Sequence, residues 1–247
     1  GVEVRVMYDD MGSLGTLPAS YAKQLKKKGI KAVSFNRISP IINTIMNHRD
    51  HRKILVIDGK VAFSGGANLA DEYINKKVKY GHWMDNIICI KGKAVWSYLV
   101  MFLTNWNALR HEDEDYTVFK NIDDADELSY DGYIAPYAET PLDEELTGQS
   151  VYEDLLNSAN EYVYIMTPYL IIDSEMINTL IHTAKKGVDV RIIMPGIADK
   201  QIVHDMGRTY YAQLIQGGVK IYEYEPGFVH SKVFVCDDTY ATVGTIN

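Results

Sequence analysis

The sequence predicts an α/β protein of two pseudo-symmetric lobes, each a mixed β-sheet flanked by helices, with the active site at the lobe interface. Three internal correspondences lead there. HRKILVIDGKVAFSGGAN from residue 51 matches HSKVFVCDDTYATVGTIN from residue 230. GVEVRVMYD at 1–9 matches GVDVRIIMP at 187–195, and KKGIK at 27–31 matches QGGVK at 216–220.

In the longest correspondence His51, Lys53, Asp58, Gly65, Gly66 and Asn68 sit at offsets 0, 2, 7, 14, 15 and 17. His230, Lys232, Asp237, Gly244, Thr245 and Asn247 occupy the same offsets. At residue frequencies of about 5%, five shared positions would recur by chance about once in several million placements. The pattern is a duplicated functional element.

The first half opens with a strand at 1–9. A helix over Pro18–Lys28 follows, stopped by Gly29, and then a strand over Ile30–Phe35. Before the motif, Ile41, Ile42, Ile45 and Met46 form a short apolar stripe with Arg37, Arg49 and Arg52 around it. It reads equally as a segment dipping into lipid headgroups and as a short helix on the core. The motif is a hairpin: Lys53–Asp58 and Val61–Ser64 are apolar runs joined by Asp58-Gly59, a strong tight-turn signal. After Asn68 come a helix over Leu69–Ile74, a strand over Asp85–Ile90 and a long helix over Lys93–Leu109.

Residues 111–131 are acidic and irregular, which marks the linker and divides the chain into lobes at 1–131 and 132–247. The second half contains Gly132–Tyr137, a helix over Val151–Ala159 and the strand run EYVYIMTPYLI. A helix over Asp173–Lys186 follows, with Met176, Ile177, Leu180, Ile181 and Ala184 on one face. After the strand at 187–195 come a helix over Asp205–Gln216, a strand over Val219–Tyr224 and the second motif. The first copy starts at the counterpart of a later strand of the second, which itself stops at its motif. The first lobe is therefore expected to be truncated N-terminally and the second C-terminally.

Composition narrows the function. A formal net charge of -8 argues against a general nucleic-acid partner, whose affinity depends on clustered cations. Cys89 and Cys236 lie in apolar runs without a motif and read as small core residues. No apolar run is long enough to span a bilayer. His48, His82, His111, His182 and His204 lack a repeated context and are expected to be ordinary surface or core residues.

The motif residues suit phosphoryl transfer. Side chains alternate along a strand, so His51 and Lys53 point the same way, as do His230 and Lys232. Two imidazoles can serve as nucleophile and general acid, because their pKa lies near neutrality. Lysines and the amides of Asn68 and Asn247 can hold the phosphate oxygens, and the glycine pair lets the backbone approach a ligand. A lysine two residues from each histidine would repel a metal ion, so no metal or other cofactor is expected. Asp58 and Asp237 fall in or beside turns, where a turn role competes with a catalytic one.

The doubled pattern resembles the signature of the phospholipase D superfamily. TPYLI at 167–171, GVDVRIIMPG at 187–196, YEYEPGFVHSK at 222–232 and HWMDN at 82–86 are similar to the bacterial cardiolipin synthase branch over essentially the whole chain. The resemblance implies transfer of a phosphatidyl group through a phosphohistidine, two phosphatidylglycerol molecules giving cardiolipin and glycerol. It implies His51 as nucleophile, His230 as general acid, and Lys53, Asp58, Lys232 and Asp237 in support. It further implies a phospholipid substrate, a membrane surface, and a bacterial cell-membrane location with the catalytic part cytoplasmic and any spanning segment outside these residues. A hydrolytic phospholipase D is the alternative, and a nuclease or a catalytically silent membrane-binding module a more distant one. Tyr169, Tyr224 and Phe228 are candidates for lining a lipid entrance.

A catalytic imidazole needs a partner on its second nitrogen. Asp85, in the HWMDN segment that resembles the family's tryptophan-x-aspartate element, lies 34 residues after His51, and under the pseudo-two-fold it is expected to bond the opposite histidine, His230. By the same symmetry the partner of His51 is expected beyond Asn247, and the chain as given is expected to be poorly active.

Overall fold

A computed structural model describes residues 1–35, 49–120, 132–140 and 145–246. The apolar stripe at 41–46, much of the acidic stretch at 111–131, and Asn247 lie outside the described residues. The chain gathers into two compact units, one of Gly1–His51, Val56–Ala62 and Lys91–Tyr137, the other of Arg52–Leu55, Phe63–Ile90 and Ala138–Asn247. This differs from a single division after residue 131, because Arg52–Leu55 and Phe63–Ile90 group with the second unit.

In the first unit, β1 (Arg5–Asp9) and β2 (Lys31–Phe35) pair in parallel, with α1 (Tyr21–Lys27) between them in sequence. Helix α2 (Val95–Arg110) buries Val95, Tyr98, Leu103 and Trp106. Arg5 stands over the Trp106 ring at 5.6 Å and donates to Glu114 Oε1 at 2.9 Å.

Both motifs form hairpins. The first joins β3 (Ile54–Ile57) to β4 (Val61–Gly65), and the second joins β11 (Val233–Cys236) to β12 (Tyr240–Val243). Asp58 and Gly59 have φ of 53° and 66°, and Lys60 N donates to Ile57 O at 3.0 Å. Asp237 and Asp238 have φ of 50° and 52°, and Thr239 N donates to Cys236 O at 2.9 Å. These are features of type I′ turns, whose twist matches that of the strands. Aspartate replaces glycine in the second turn because its short polar side chain tolerates the left-handed region.

The second unit is built on a five-stranded mixed sheet ordered β12-β11-β7-β8-β9. Strands β7 (Tyr162–Met166), β8 (Asp189–Pro195) and β9 (Lys220–Tyr224) run parallel, and β11 is antiparallel to β7. Helices α3 (Thr147–Ser158) and α4 (Ser174–Lys185) pack on it through Leu155, Leu156, Ile177 and Leu180, against Val163, Ile165, Val190 and Ile192. The α4 start is fixed by Asp173, which accepts from Met176 N at 2.8 Å. In the first half the corresponding strands fall in two sheets, β1-β2 and β3-β4-β6, the last strand being β6 (Ile87–Lys91). Strand β7 joins β11 to β8, and no counterpart of β7 joins the two sheets among the described residues.

Three elements differ from expectation. The helix expected over Asp205–Gln216 starts earlier and is two, α5 (Gln201–Thr209) and α6 (Tyr211–Gln216). The helix expected over Leu69–Ile74 is one 3-10 turn at Asp71–Ile74. The strand expected over Asp85–Ile90 is interrupted at Asp85-Asn86, leaving β5 (His82–Met84) before β6. There Asn86 N turns to the Asp85 side chain, at 2.8 Å from Oδ1, in place of a ladder partner.

Candidate active site

The second unit presents a histidine site assembled by an unanticipated strand. β10 (Gly227–Val229) pairs in parallel with β5, matching Gly227 to His82, Phe228 to Trp83 and Val229 to Met84. Continued one residue, this register sets His230 beside Asp85, and paired residues of neighbouring strands share a face. His230 N donates to Met84 O at 2.7 Å, and His230 Nδ1 donates to Asp85 Oδ2 at 2.8 Å. Asn75 holds the other side of β5, accepting from Trp83 N at 2.7 Å and donating to Trp83 O at 2.9 Å.

The His230 side chain is 9% exposed and that of Asp85 3%. Burial lowers the pKa of His230, the Asp85 carboxylate opposes that shift, and the Lys232 and Lys53 charges add to it. An ionised carboxylate only accepts, so the proton is on Nδ1 and Nε2 carries the lone pair. That tautomer can take a proton from an alcohol or, once protonated, return one.

Lys232 is 2% exposed, and its Nζ donates to His230 O at 2.6 Å. Burial is the largest influence on the amine and brings its pKa down to about 7, with Asp85 and Asp199 pulling upward and Lys53 downward. A buried cation with so little compensation is poised to gain from an arriving anion. Lys53, half-buried, is near enough for its charge to be felt at both His230 and Lys232.

Asn68 Nδ2 donates to Tyr73 Oη at 2.6 Å, and the Tyr73 ring meets the His230 ring edge-on at 5.4 Å. Trp83 lies 5.4 Å and Phe228 5.9 Å from that imidazole. Tyr73 had no signal in the sequence, and Trp83 only its place in HWMDN. Only the fold turns them toward the histidine.

The glycine pair acts differently from the sequence reading, which had it approach a ligand. A Cβ on Gly65 would collide with Asn86 O, and one on Gly66 with Asp85 Oδ1. Gly66 N also donates to Asn86 O at 3.1 Å. The pair makes room for the Asp85-Asn86 break.

In the first unit His51 is exposed, and the residues before it are tied down. Asp9 at the end of β1 accepts from Arg49 Nη1 and from Asp50 N, each at 3.4 Å, and Asn105 Nδ2 donates to Asp50 Oδ2 at 2.9 Å. Asp9 and Asn105 are 40 or more residues from these partners, or from the motif, in sequence and were not legible as part of this arrangement.

Two candidates are held in ways the sequence did not show. Asp237, grouped with the catalytic residues, accepts from Tyr162 N and Asn160 N at 2.7 Å each and from Glu161 N at 3.0 Å. Those bonds, led by Tyr162 and Asn160, hold its carboxyl below the usual range. It clamps the start of β7 from the turn at the far end of the hairpin strand from His230, as its distance along the strand requires. Asp58 occupies the equivalent turn position. Phe228, expected at a lipid entrance, is 1% exposed because β10 points it onto Trp83, ring to ring at 4.9 Å. Tyr224 Oη lies 3.0 Å from His82 Nδ1, and Tyr169 Oη donates to Asp199 Oδ2 at 2.6 Å. Both tyrosines are half-buried.

Residues 1–101 and 152–247 match the family described as "Cardiolipin synthase, PLD-like domain". An uncharacterized protein of Streptococcus mutans is 53% identical over the whole chain, which covers 53% of that protein. A protein named cardiolipin synthase 2 of Bacillus cereus is 38% identical over the whole chain, covering 48% of its length, and a cardiolipin synthase of Alkalihalophilus pseudofirmus is 36% identical, with 49% covered. The chain thus spans about half the length of the curated relatives it matches. Among solved structures, phosphatidylserine synthase of Haemophilus influenzae shares the fold, with TM-score 0.55 and 17% identity over 95% of this chain and 63% of that one. With the motif present twice and the family match running through both halves, the chain belongs to the cardiolipin synthase branch of the phospholipase D-like family.

Proposed function

We propose that this chain performs phosphatidyl transfer through a phosphohistidine, converting two phosphatidylglycerol molecules to cardiolipin and glycerol at a membrane surface. The observation that carries the reading is the buried His230 imidazole, bonded through Nδ1 to Asp85 and accompanied by the amine of Lys232. This is the equipment of a general acid and base beside an anion.

The arriving phosphodiester favours the charged forms of His230 and Lys232. His51 attacks phosphorus, the P–O bond to glycerol breaks, and the leaving oxygen takes the proton from His230 Nε2. The headgroup hydroxyl of the second lipid then gives its proton to Nε2 and attacks phosphorus, and the bond to His51 breaks. Lys53, Lys232 and Asn68 stabilise the equatorial oxygens in both steps, with Asn247 assigned the same part on motif position alone.

Supplying the complete protein with radiolabelled phosphatidylglycerol in vesicles and separating the products by thin-layer chromatography tests the reading. Cardiolipin is the expected labelled product. Phosphatidic acid alone would assign the hydrolytic alternative.

A further inference from the structure

The parallel strands β7, β8 and β9 all end on one edge of their sheet, and β11, antiparallel to β7, begins there. Ligands of open α/β sheets bind outside the carboxyl ends of the parallel strands. Lys232 immediately precedes β11 on this edge, Tyr169 lies just beyond the end of β7, and Asp199 just beyond the end of β8.

The phosphoryl chemistry uses neither Tyr169 nor Asp199. Asp85, the other carboxylate near the Lys232 amine, is occupied with His230, whereas Asp199 bonds none of the described residues of the phosphoryl chemistry. Among the described residues the one hydrogen bond of the Asp199 side chain is from Tyr169 Oη to Oδ2, at 2.6 Å. Oδ1 is left to accept from something else. The Asp199 charge reaches both Lys232 and Tyr73, and Tyr73 is edge-on to His230 at 5.4 Å. The pair therefore lies on the Lys232 edge of the sheet and within electrostatic reach of Tyr73, whose ring meets the imidazole that takes the acceptor's proton. Burial, then the carboxylate, hold the Tyr169 phenol above its ordinary pKa, so it remains a donor.

We propose that Asp199 and Tyr169 bind the free hydroxyls of a polyol acceptor headgroup and so select the alcohol that takes the phosphatidyl group. This rests on the phosphatidyl-transfer reading and specifies its second substrate. The hydroxyl that attacks gives its proton to His230, so the carboxylate accepts from a neighbouring hydroxyl that does not react, without the cost of a second anion. The Lys200 ammonium, 5.5 Å over the Tyr169 ring, and Lys232 make the neighbourhood unfavourable to a cationic headgroup. In the transfer step the bound polyol loses one hydroxyl proton to His230 Nε2, its oxygen bonds phosphorus, and the phosphorus–His51 bond breaks.

The test is a competition. The full protein is given unlabelled phosphatidylglycerol vesicles with radiolabelled glycerol and radiolabelled 1-propanol together, and the ratio of labelled phosphatidylglycerol to labelled phosphatidylpropanol is measured, a quantity independent of how much protein is folded. Asp199→Asn is expected to lower the polyol-to-propanol ratio at least tenfold and Tyr169→Phe at least threefold, with partial rescue in Asp199→Glu. Should Asp199→Asn yield too little product to measure, Tyr169→Phe carries the same comparison. An unchanged ratio overturns the inference and leaves phosphatidyl transfer standing. No transfer to either alcohol by the unaltered protein overturns the underlying reading, and the inference with it.

Discussion

A Cβ on Gly66 would occupy the place of Asp85 Oδ1, so the second glycine of the first motif is the space taken by the carboxylate that bonds His230. Gly66→Ala should displace Asp85 and lower turnover about 10–100-fold, the usual loss when a partner that orients an active-site imidazole is removed. If the effect passes through the carboxylate, Gly66→Ala costs little more in an Asp85→Ala background. A double-mutant cycle on kcat/KM checks this, and additive losses would show that Gly66 acts by another route.

Lys232, with its pKa near 7, should take up a proton when an anion binds. Above pH 7 the free amine is largely neutral, and a bound anion favours the ammonium form. Titration calorimetry with sulfate at pH 8, in buffers of different ionisation enthalpy, should show proton uptake that shrinks below pH 7 and is lost in Lys232→Met.

The same shift has a stability consequence. Between about 7 and the unfolded value near 10.4, the unfolded chain binds the extra proton, so this site's contribution to stability rises with pH. Below pH 7 the full cost of the buried charge is present. Lys232→Met should therefore raise the Tm relative to the unaltered chain most at pH 6 and progressively less toward pH 10, as thermal unfolding across that range would show.

Asp237 caps three backbone N–H groups at Asn160, Glu161 and Tyr162. Its replacement by Ala should destabilise the fold by about 0.5–1.5 kcal/mol, the net worth of hydrogen bonds whose donors water can reach, while kcat per folded molecule is little changed. Urea unfolding with activity normalised to the folded fraction separates this from a catalytic role, which would lower normalised kcat by orders of magnitude.

The division of labour between the histidines makes opposite predictions for two variants. His230→Ala should accumulate lipid covalently attached to the protein, because formation of the phosphohistidine is slowed less than its breakdown when the acceptor loses its base. His51→Ala should show no attachment. Radiolabelled phosphatidylglycerol followed by denaturing gel autoradiography distinguishes them, and the reverse pattern would exchange the roles.

Much of this molecule is local and so was readable along the chain. The spacing of His51 to Lys53 and of His230 to Lys232 follows from strand alternation, and the Asp58-Gly59 turn from left-handed backbone preference. The α4 stripe and its Asp173 cap need only the helical period and one side chain. Asp85 was reachable because HWMDN resembles the family's tryptophan-x-aspartate element and the repeat implied which histidine it would meet. What the order of residues could not convey was register between distant segments. Strand β10 is three residues long and stands only because β5 lies beside it, and that pairing turns Trp83 and Tyr73 toward His230 and carries Phe228 inward. The purpose of Gly66 was hidden for the same reason: an absent side chain has meaning only once the atom that fills its place is known. The depressed pKa of Lys232 belongs to this class as well, since desolvation depends on everything packed around a group, and a lysine in a strand reads the same whether it is open to water or enclosed.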